Sequence, residues 1–134
     1  MSREIWVNVC VSNPTSSRRA FTIRALVDTG SIDSAMPARL RRQSGIRPMG
    51  RETYEAVGGG LFRRDWGLVL FEIQGKKRPT AVTYEPATEV PLVGSVTLEE
   101  LGFDVDMRDG GLRPFVRRKG QHRRRVARRV LRAE

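Results

Sequence analysis

Residues 4 to 11, EIWVNVCV, alternate apolar and polar side chains and predict a β-strand. The stretch SNPTSSRR that follows is a loop by composition. Residues 20 to 27, AFTIRALV, predict a second strand, with Phe21, Ile23, Ala25 and Val27 on one side. Its alternation loosens toward Asp28, as expected where a strand enters a buried place. MPARLRRQSG predicts a short helix with Pro37 in its first turn and Gly45 at its C-terminal cap. A long hairpin follows, in which residues 51 to 57 and 61 to 74 flank Gly58-Gly59-Gly60. Glycine permits positive φ there and makes the tip flexible. QGKKRP is a further turn, and residues 80 to 85, TAVTYE, are a strand. The Gly-Lys pair in that turn is not a phosphate loop, because Leu70 and Lys77 occupy positions that need Gly and Ser or Thr. VPLVG, residues 90 to 94, is a short apolar strand of the kind buried on both faces. It runs into SVTLEELG, where Thr97 and Glu100 stand at capping-box spacing and Gly102 closes a short helix. FDVDMRDGGLRPF predicts a last hairpin around Asp109-Gly110-Gly111.

The body is therefore mostly β with one or two short helices, and it contains no internal repeat. A chain of 134 residues fits one domain with a real core. Charged residues make up 30% of it and hydrophobic residues 39%, which describes a soluble globular class with a highly charged surface. The charge is unevenly placed. Residues 1 to 107 hold 14 Lys+Arg against 13 Asp+Glu, a net of +1, and residues 108 to 134 hold 11 against 2, a net of +9. We therefore divide the chain into a domain over residues 1–115 and a basic tail over 116–134. In the tail, Val126, Val130 and Leu131 can share one face of a short helix ringed by arginines. It is either a solvated extension or a contact for nucleic acid or another anionic surface. It carries no aromatic residue to stack on bases. No apolar run reaches the length of a transmembrane segment. The alternating N-terminus lacks a cleavage site of small residues, so a cytoplasmic location is the expectation.

Several chemistries drop out. A single cysteine, Cys10, allows no internal disulfide and no metal site built on paired cysteines. It reads as a small strand residue. The one histidine, His122, sits in the arginine cluster, which makes a Ser-His-Asp or Cys-His site a poor reading. Any hydrolytic chemistry must rest on carboxylates, and Asp28, at the end of an apolar strand in LVDTGS, is the candidate. By itself Asp-Thr-Gly is also an ordinary turn.

Three features occur in order: Ala25-Leu26-Val27-Asp28-Thr29-Gly30-Ser31, the hairpin tip AVGGG (56 to 60), and Pro91-Leu92-Val93-Gly94 leading into VTLEELGF. With them the chain resembles the retropepsin-like aspartic proteases, in particular bacterial single-domain members, whose closing hairpin DVDMRDGGLRP also resembles. The resemblance covers roughly residues 4 to 115 and leaves the tail outside. It implies a closed β-barrel with one catalytic loop per chain. LVDTGS occurs once, so the resemblance implies a homodimer in which each subunit contributes Asp28. The paired carboxylates would share one proton and activate a water against an extended polypeptide, with no metal or cofactor.

The same resemblance implies the supporting roles. Thr29 bonds across the dimer axis, Gly30 admits substrate and the partner loop, and Ser31 bonds and tunes the Asp28 carboxylate. Val57, Gly58, Gly59 and Gly60 form a flap that closes over substrate, while Leu92, Val93 and Gly94 pack behind the catalytic loop. Tyr54 approaches the cleft. Three consecutive glycines make a floppier flap than many relatives have. Ser95 stands where relatives often carry a charged or larger residue. Two other readings stand beside the active endopeptidase. One is a noncatalytic protein-binding module of the same fold with a basic targeting tail. The other is a nucleic-acid-binding β domain, which the near-neutral body disfavours.

Overall fold

The computed structural model describes residues 4–117, 119, 129 and 130. These residues hold ten strands and two short helices. β1 (Trp6–Asn13) and β2 (Ser16–Val27) form the first antiparallel pair, from Trp6 opposite Leu26 to Asn13 opposite Ser16. The loop predicted over SNPTSSRR shrinks to a tight turn at Pro14-Thr15. Asn13 Oδ1 accepts the amide and the hydroxyl of Thr15 at 2.9 and 2.8 Å, which closes the turn locally. The polar residues that look like loop instead extend β2, because backbone pairing at an exposed strand end does not require apolar side chains.

β3 (Ser34–Pro37) leads through Ala38 into α1 (Arg39–Ser44). β4 (Gly50–Glu55), β5 (Leu61–Ile73) and β6 (Lys76–Glu85) form a meander, and β7 (Leu92–Val93) precedes α2 (Ser95–Leu101). β8 (Phe103–Asp106) and β9 (Gly111–Val116) make the last hairpin. The main sheet runs β1-β2-β7-β3-β6-β5-β4, and β1 also pairs with β5 through Cys10 opposite Glu72 and Val11 opposite Phe71. That extra pairing closes six strands into a ring and leaves β4 hanging from β5. The result is a retropepsin-like barrel.

Inward-facing residues fill the ring. On β5, Gly67, Val69, Phe71 and Ile73 are buried at every second position, as a strand with one face on a core requires. They meet Val9, Val11, Ala25, Val82 and Val93, with Leu98, Leu101 and Phe103 closing one end. Cys10 points out of this row, half-buried between Thr22 and Glu72, as an ordinary strand residue.

Three local expectations change. Pro37 ends β3 rather than opening the helix, whose N-cap is Ala38; Gly45 does form its left-handed C-cap at φ 69°. β3 pairs parallel with β6, Ser34 opposite Val82, so the SAMP run is a strand buried on all sides. Thr97 caps nothing. α2 starts from Gly94, and the Thr97 hydroxyl is buried in a network described below, while Gly102 closes the helix at φ 84°. In the tail, β10 (Arg129–Val130) returns antiparallel to β9, with Val130 opposite Phe115. Val130 is thus in a strand, not on a helix face; Val126, Leu131 and His122 lie outside the described residues. Among the described residues no helix is long and apolar enough to cross a membrane.

Candidate active site

Asp28 stands where β2 leaves the sheet. β7 lies between β2 and β3, parallel to β2 through Val27 opposite Val93 and antiparallel to β3 through Ala35 opposite Leu92. The loop 28–33 joins the two flanking strands across the end of β7. Its start is held on both sides. Val27 donates its amide to Ile5 at 2.8 Å, and Asp28 donates its own to the Val93 carbonyl at 2.9 Å. The chain then turns sharply, with the Asp28 carbonyl accepting the Ser31 amide at 3.2 Å. The Asp28 side chain folds into this turn, where Oδ1 accepts the Gly30 amide at 3.1 Å. A Cβ at residue 30 would lie 3.3 Å from that oxygen, so glycine keeps the carboxylate unobstructed. Asp28 is half-buried, and Thr29 and Gly30 are exposed.

Behind the loop, α2 begins against its backbone. Ser31 and Ile32 carbonyls accept the amides of Ser95 and Val96 at 2.8 and 3.2 Å. These are amides that a helix leaves unpaired at its start, so the loop replaces a side-chain cap. The approach is close enough that a Cβ on Gly94 would meet the Asp33 carbonyl oxygen at 2.5 Å. The Gly94 amide donates to Ser34 Oγ at 2.9 Å. Ser34 in turn meets Thr97 Oγ1 at 2.5 Å, and Thr97 meets Thr80 Oγ1 at 2.7 Å. This buried hydroxyl chain ties β3, β6 and α2 together beneath the loop. Val93 is fully buried in the core, with Leu92 half-buried beside it.

The opposite wall is the β4–β5 hairpin, in register at Tyr54 opposite Phe62 and Glu55 opposite Leu61. At its tip Ala56 donates to the Gly60 carbonyl at 2.7 Å, and Gly58 and Gly59 adopt φ 103° and 97°. Those left-handed values favour glycine. Val57 is fully exposed, and a Cβ at residues 58, 59 or 60 would meet no atom within 4 Å. The tip therefore stands free of the body. Lower down, Tyr54 stacks on Phe62 at 5.7 Å and donates a long hydrogen bond of 3.4 Å to Asp33 Oδ2. Burial first, and then the Asp33 carboxylate, push the Tyr54 hydroxyl above its usual pKa. Between hairpin and loop lies a cavity of about 320 Å³ lined by Asp33, Glu52, Tyr54, Trp66, Val82 and Thr83.

The structure thus brings the Asp28 loop, Leu92-Val93-Gly94 and Tyr54 into one region. The Ser31 hydroxyl, expected on the Asp28 carboxylate, donates instead to the Asp33 carbonyl at 2.8 Å, because the turn directs it along the loop. Arg24, on β2 ahead of Asp28, lies over the Trp6 ring at 5.9 Å. Asp33, Glu52 and Trp66 escape the sequence reading. Their only local signal is a second acid in the loop after Asp28, and strand register alone brings the other two beside it. Among the described residues no cluster of three or more His, Cys, Asp or Glu side chains is placed to hold a metal ion.

No protein-family model matches the chain, and no curated protein matches it. Its solved structural neighbours include the protease of simian foamy virus (mac), whose solution structure aligns over 72% of this chain and 93% of that one. The TM-score is 0.53 at 17% identity, a likeness of fold, and it is the retropepsin-like barrel that the two chains share.

Proposed function

We propose that this chain is an aspartic endopeptidase that acts as a homodimer, with one Asp28 from each subunit forming the catalytic pair. The observation that carries the reading is the Asp28 carboxylate itself. It sits half-buried on a loop closed by the Ser31 amide, with Oδ1 engaged by Gly30. The fold shared with a viral protease supports it. Residues 1–115 form the protease domain in this reading, and 116–134 are an appended basic segment.

Two carboxylates brought within hydrogen-bond distance resist double ionisation, so the pair holds one proton. The ionised Asp28 accepts a proton from a water, whose oxygen attacks the substrate carbonyl carbon. The protonated Asp28 of the partner subunit donates to the carbonyl oxygen as it becomes tetrahedral. Collapse of that intermediate breaks the C–N bond, and a proton passes to the leaving nitrogen. Thr29 and Gly30, exposed at the turn, form the contact between the two loops. Val57, Gly58, Gly59 and Gly60 close over an extended substrate and bond its backbone as an added strand would. Leu92, Val93 and Gly94 hold the loop from behind.

The test is incubation of wild type and Asp28→Asn with an unstructured protein over a range of pH, alongside sedimentation of both. Cleavage by a dimeric wild type and its loss in the mutant supports the reading. A monomer at every concentration sinks the shared site.

A further inference from the structure

We propose that the cavity between the β4–β5 hairpin and the loop 28–33 receives an arginine side chain of the polypeptide substrate. This inference rests on the endopeptidase reading and names the substrate class of the same cleft.

The first argument is charge. Three acids near the site are neutralised: Asp65 pairs with Arg41 and Arg51, Glu85 with Arg64, and Glu89 with Arg39. Asp33 and Glu52, which line the cavity, form no ion pair among the described residues. Arg64, opposite Glu52 on β5, is drawn to Glu85, so two carboxylates outside any salt bridge face each other across the cavity and set a local negative field. The Tyr54 hydroxyl between them reports that field, since after burial the Asp33 and Glu52 charges hold its proton on.

The second argument is shape and chemistry. The cavity, about 320 Å³, is in the size range of small ligand sites. Thr83, only 7% exposed, lines it and offers a hydroxyl. Two aromatic walls are held in place. Tyr54 is stacked on Phe62, and Trp66 packs on the bare backbone of Gly50, where a Cβ would meet its Nε1 at 2.8 Å. Aromatic walls attract a cation, and a planar guanidinium presents five N–H donors to acceptors on different elements. The acceptors here, two carboxylates and a hydroxyl oxygen on separate strands and loop, match that fork better than they match a compact ammonium. An extended peptide beside Asp28 sends alternate side chains toward such a pocket.

The experiment profiles cleavage of an unstructured protein by mass spectrometry, for wild type and Glu52→Lys. It then measures kcat/KM on matched peptides carrying arginine or its neutral isostere citrulline at the enriched position. Wild type should enrich arginine at one fixed position and favour it over citrulline roughly ten-fold. Glu52→Lys, an exposed strand position whose fold is checked by thermal melting, should lose that preference and shift toward acidic residues. Equal rates on both peptides, or an unchanged preference in Glu52→Lys, overturn the proposal while leaving the endopeptidase intact. If wild type cleaves nothing, extended peptides that differ only in one arginine or citrulline are titrated against wild type and Glu52→Lys by tryptophan fluorescence. Arginine-selective binding that Glu52→Lys abolishes then keeps the pocket and removes the peptidase, and absence of selectivity removes both.

Discussion

The amide of Asp28 donates to the carbonyl of Val93 at 2.9 Å, so the candidate catalytic loop hangs from a two-residue strand buried in the core. Stability of that strand and geometry of the carboxylate are therefore coupled. Anything that displaces β7 displaces Asp28.

Gly94 gives the sharpest case. A Cβ there would sit 2.5 Å from the Asp33 carbonyl oxygen and 2.8 Å from that of Ile32. Backbone atoms cannot swing aside as a side chain does, so Gly94→Ala must push α2 away from the loop. We expect a loss of about 1–3 kcal/mol, read by urea unfolding, with a larger relative loss of peptidase activity than of stability.

Thr97 is predicted to matter through its hydroxyl rather than its volume. Thr97→Val keeps the shape but removes the centre of the Ser34–Thr97–Thr80 chain. Two buried hydroxyls then lose a partner, at a cost of about 1–3 kcal/mol. Ser34 keeps its bond from the Gly94 amide, so folding survives. Thermal melts of Thr97→Val and Thr97→Ser separate the hydrogen-bond loss from any packing change.

If the catalytic pair is shared, activity depends on pairing. Mixing wild type with equal Asp28→Asn and allowing subunit exchange should lower wild-type activity to about half, because mixed dimers carry one carboxylate. Unchanged activity in the mixture means each chain works alone and contradicts the dimeric mechanism.

Tyr84 supplies a pH prediction. Its ring is buried, its hydroxyl has no hydrogen-bond partner among the described residues, and burial pushes its pKa up to about 12. A raised pKa means the folded state prefers the neutral phenol. The contribution is complete below the ordinary tyrosine pKa, about 10, and is lost as pH rises through the folded value. Tyr84→Phe should therefore be at least as stable as wild type near neutrality, since it removes an unpaired buried hydroxyl. It should also blunt the alkaline loss of stability between the two pKa values. Melting temperatures measured across that range check both parts.

The basic segment is tested by deletion of residues 117–134. This removes nine Lys+Arg and one Asp+Glu, a net of +8, and leaves the chain at +2. Because phosphate and sulfate contacts scale with charges neutralised, the shortened protein should leave heparin at much lower salt. Unchanged elution would place the anion-binding surface elsewhere. The deletion also removes β10 from the edge of β9, so its oligomeric state should be measured in the same experiment.

Strand ends and turns were legible where local pattern carries them. Apolar alternation in AFTIRALV stops at Asp28 because the strand stops there, and glycines mark turns at residues 58, 59, 102 and 110 because positive φ is costly for other residues. The Ser34–Pro37 strand was not legible. Its four buried residues lack alternation, since both faces are covered, and Pro37 imitates a helix start. The fate of Thr97 was hidden for a related reason. Its spacing to Glu100 fits a cap, but loop carbonyls already satisfy the start of α2 and leave the hydroxyl to face Ser34 and Thr80.

By itself, the sequence determined that Asp28 ends a strand and that a glycine-tipped hairpin and an apolar strand accompany it, and it left carboxylates as the candidate groups for any hydrolytic chemistry. Those are properties of short windows, governed by side-chain periodicity and backbone preference. Only the tertiary structure decided that Val93 anchors Asp28, that Ser31 turns to Asp33, and that Asp33, Glu52, Tyr54 and Trp66 surround one cavity. The first and last of these join residues far apart in the chain. Their proximity follows from sheet register and barrel closure, which depend on all the strands packing together at once.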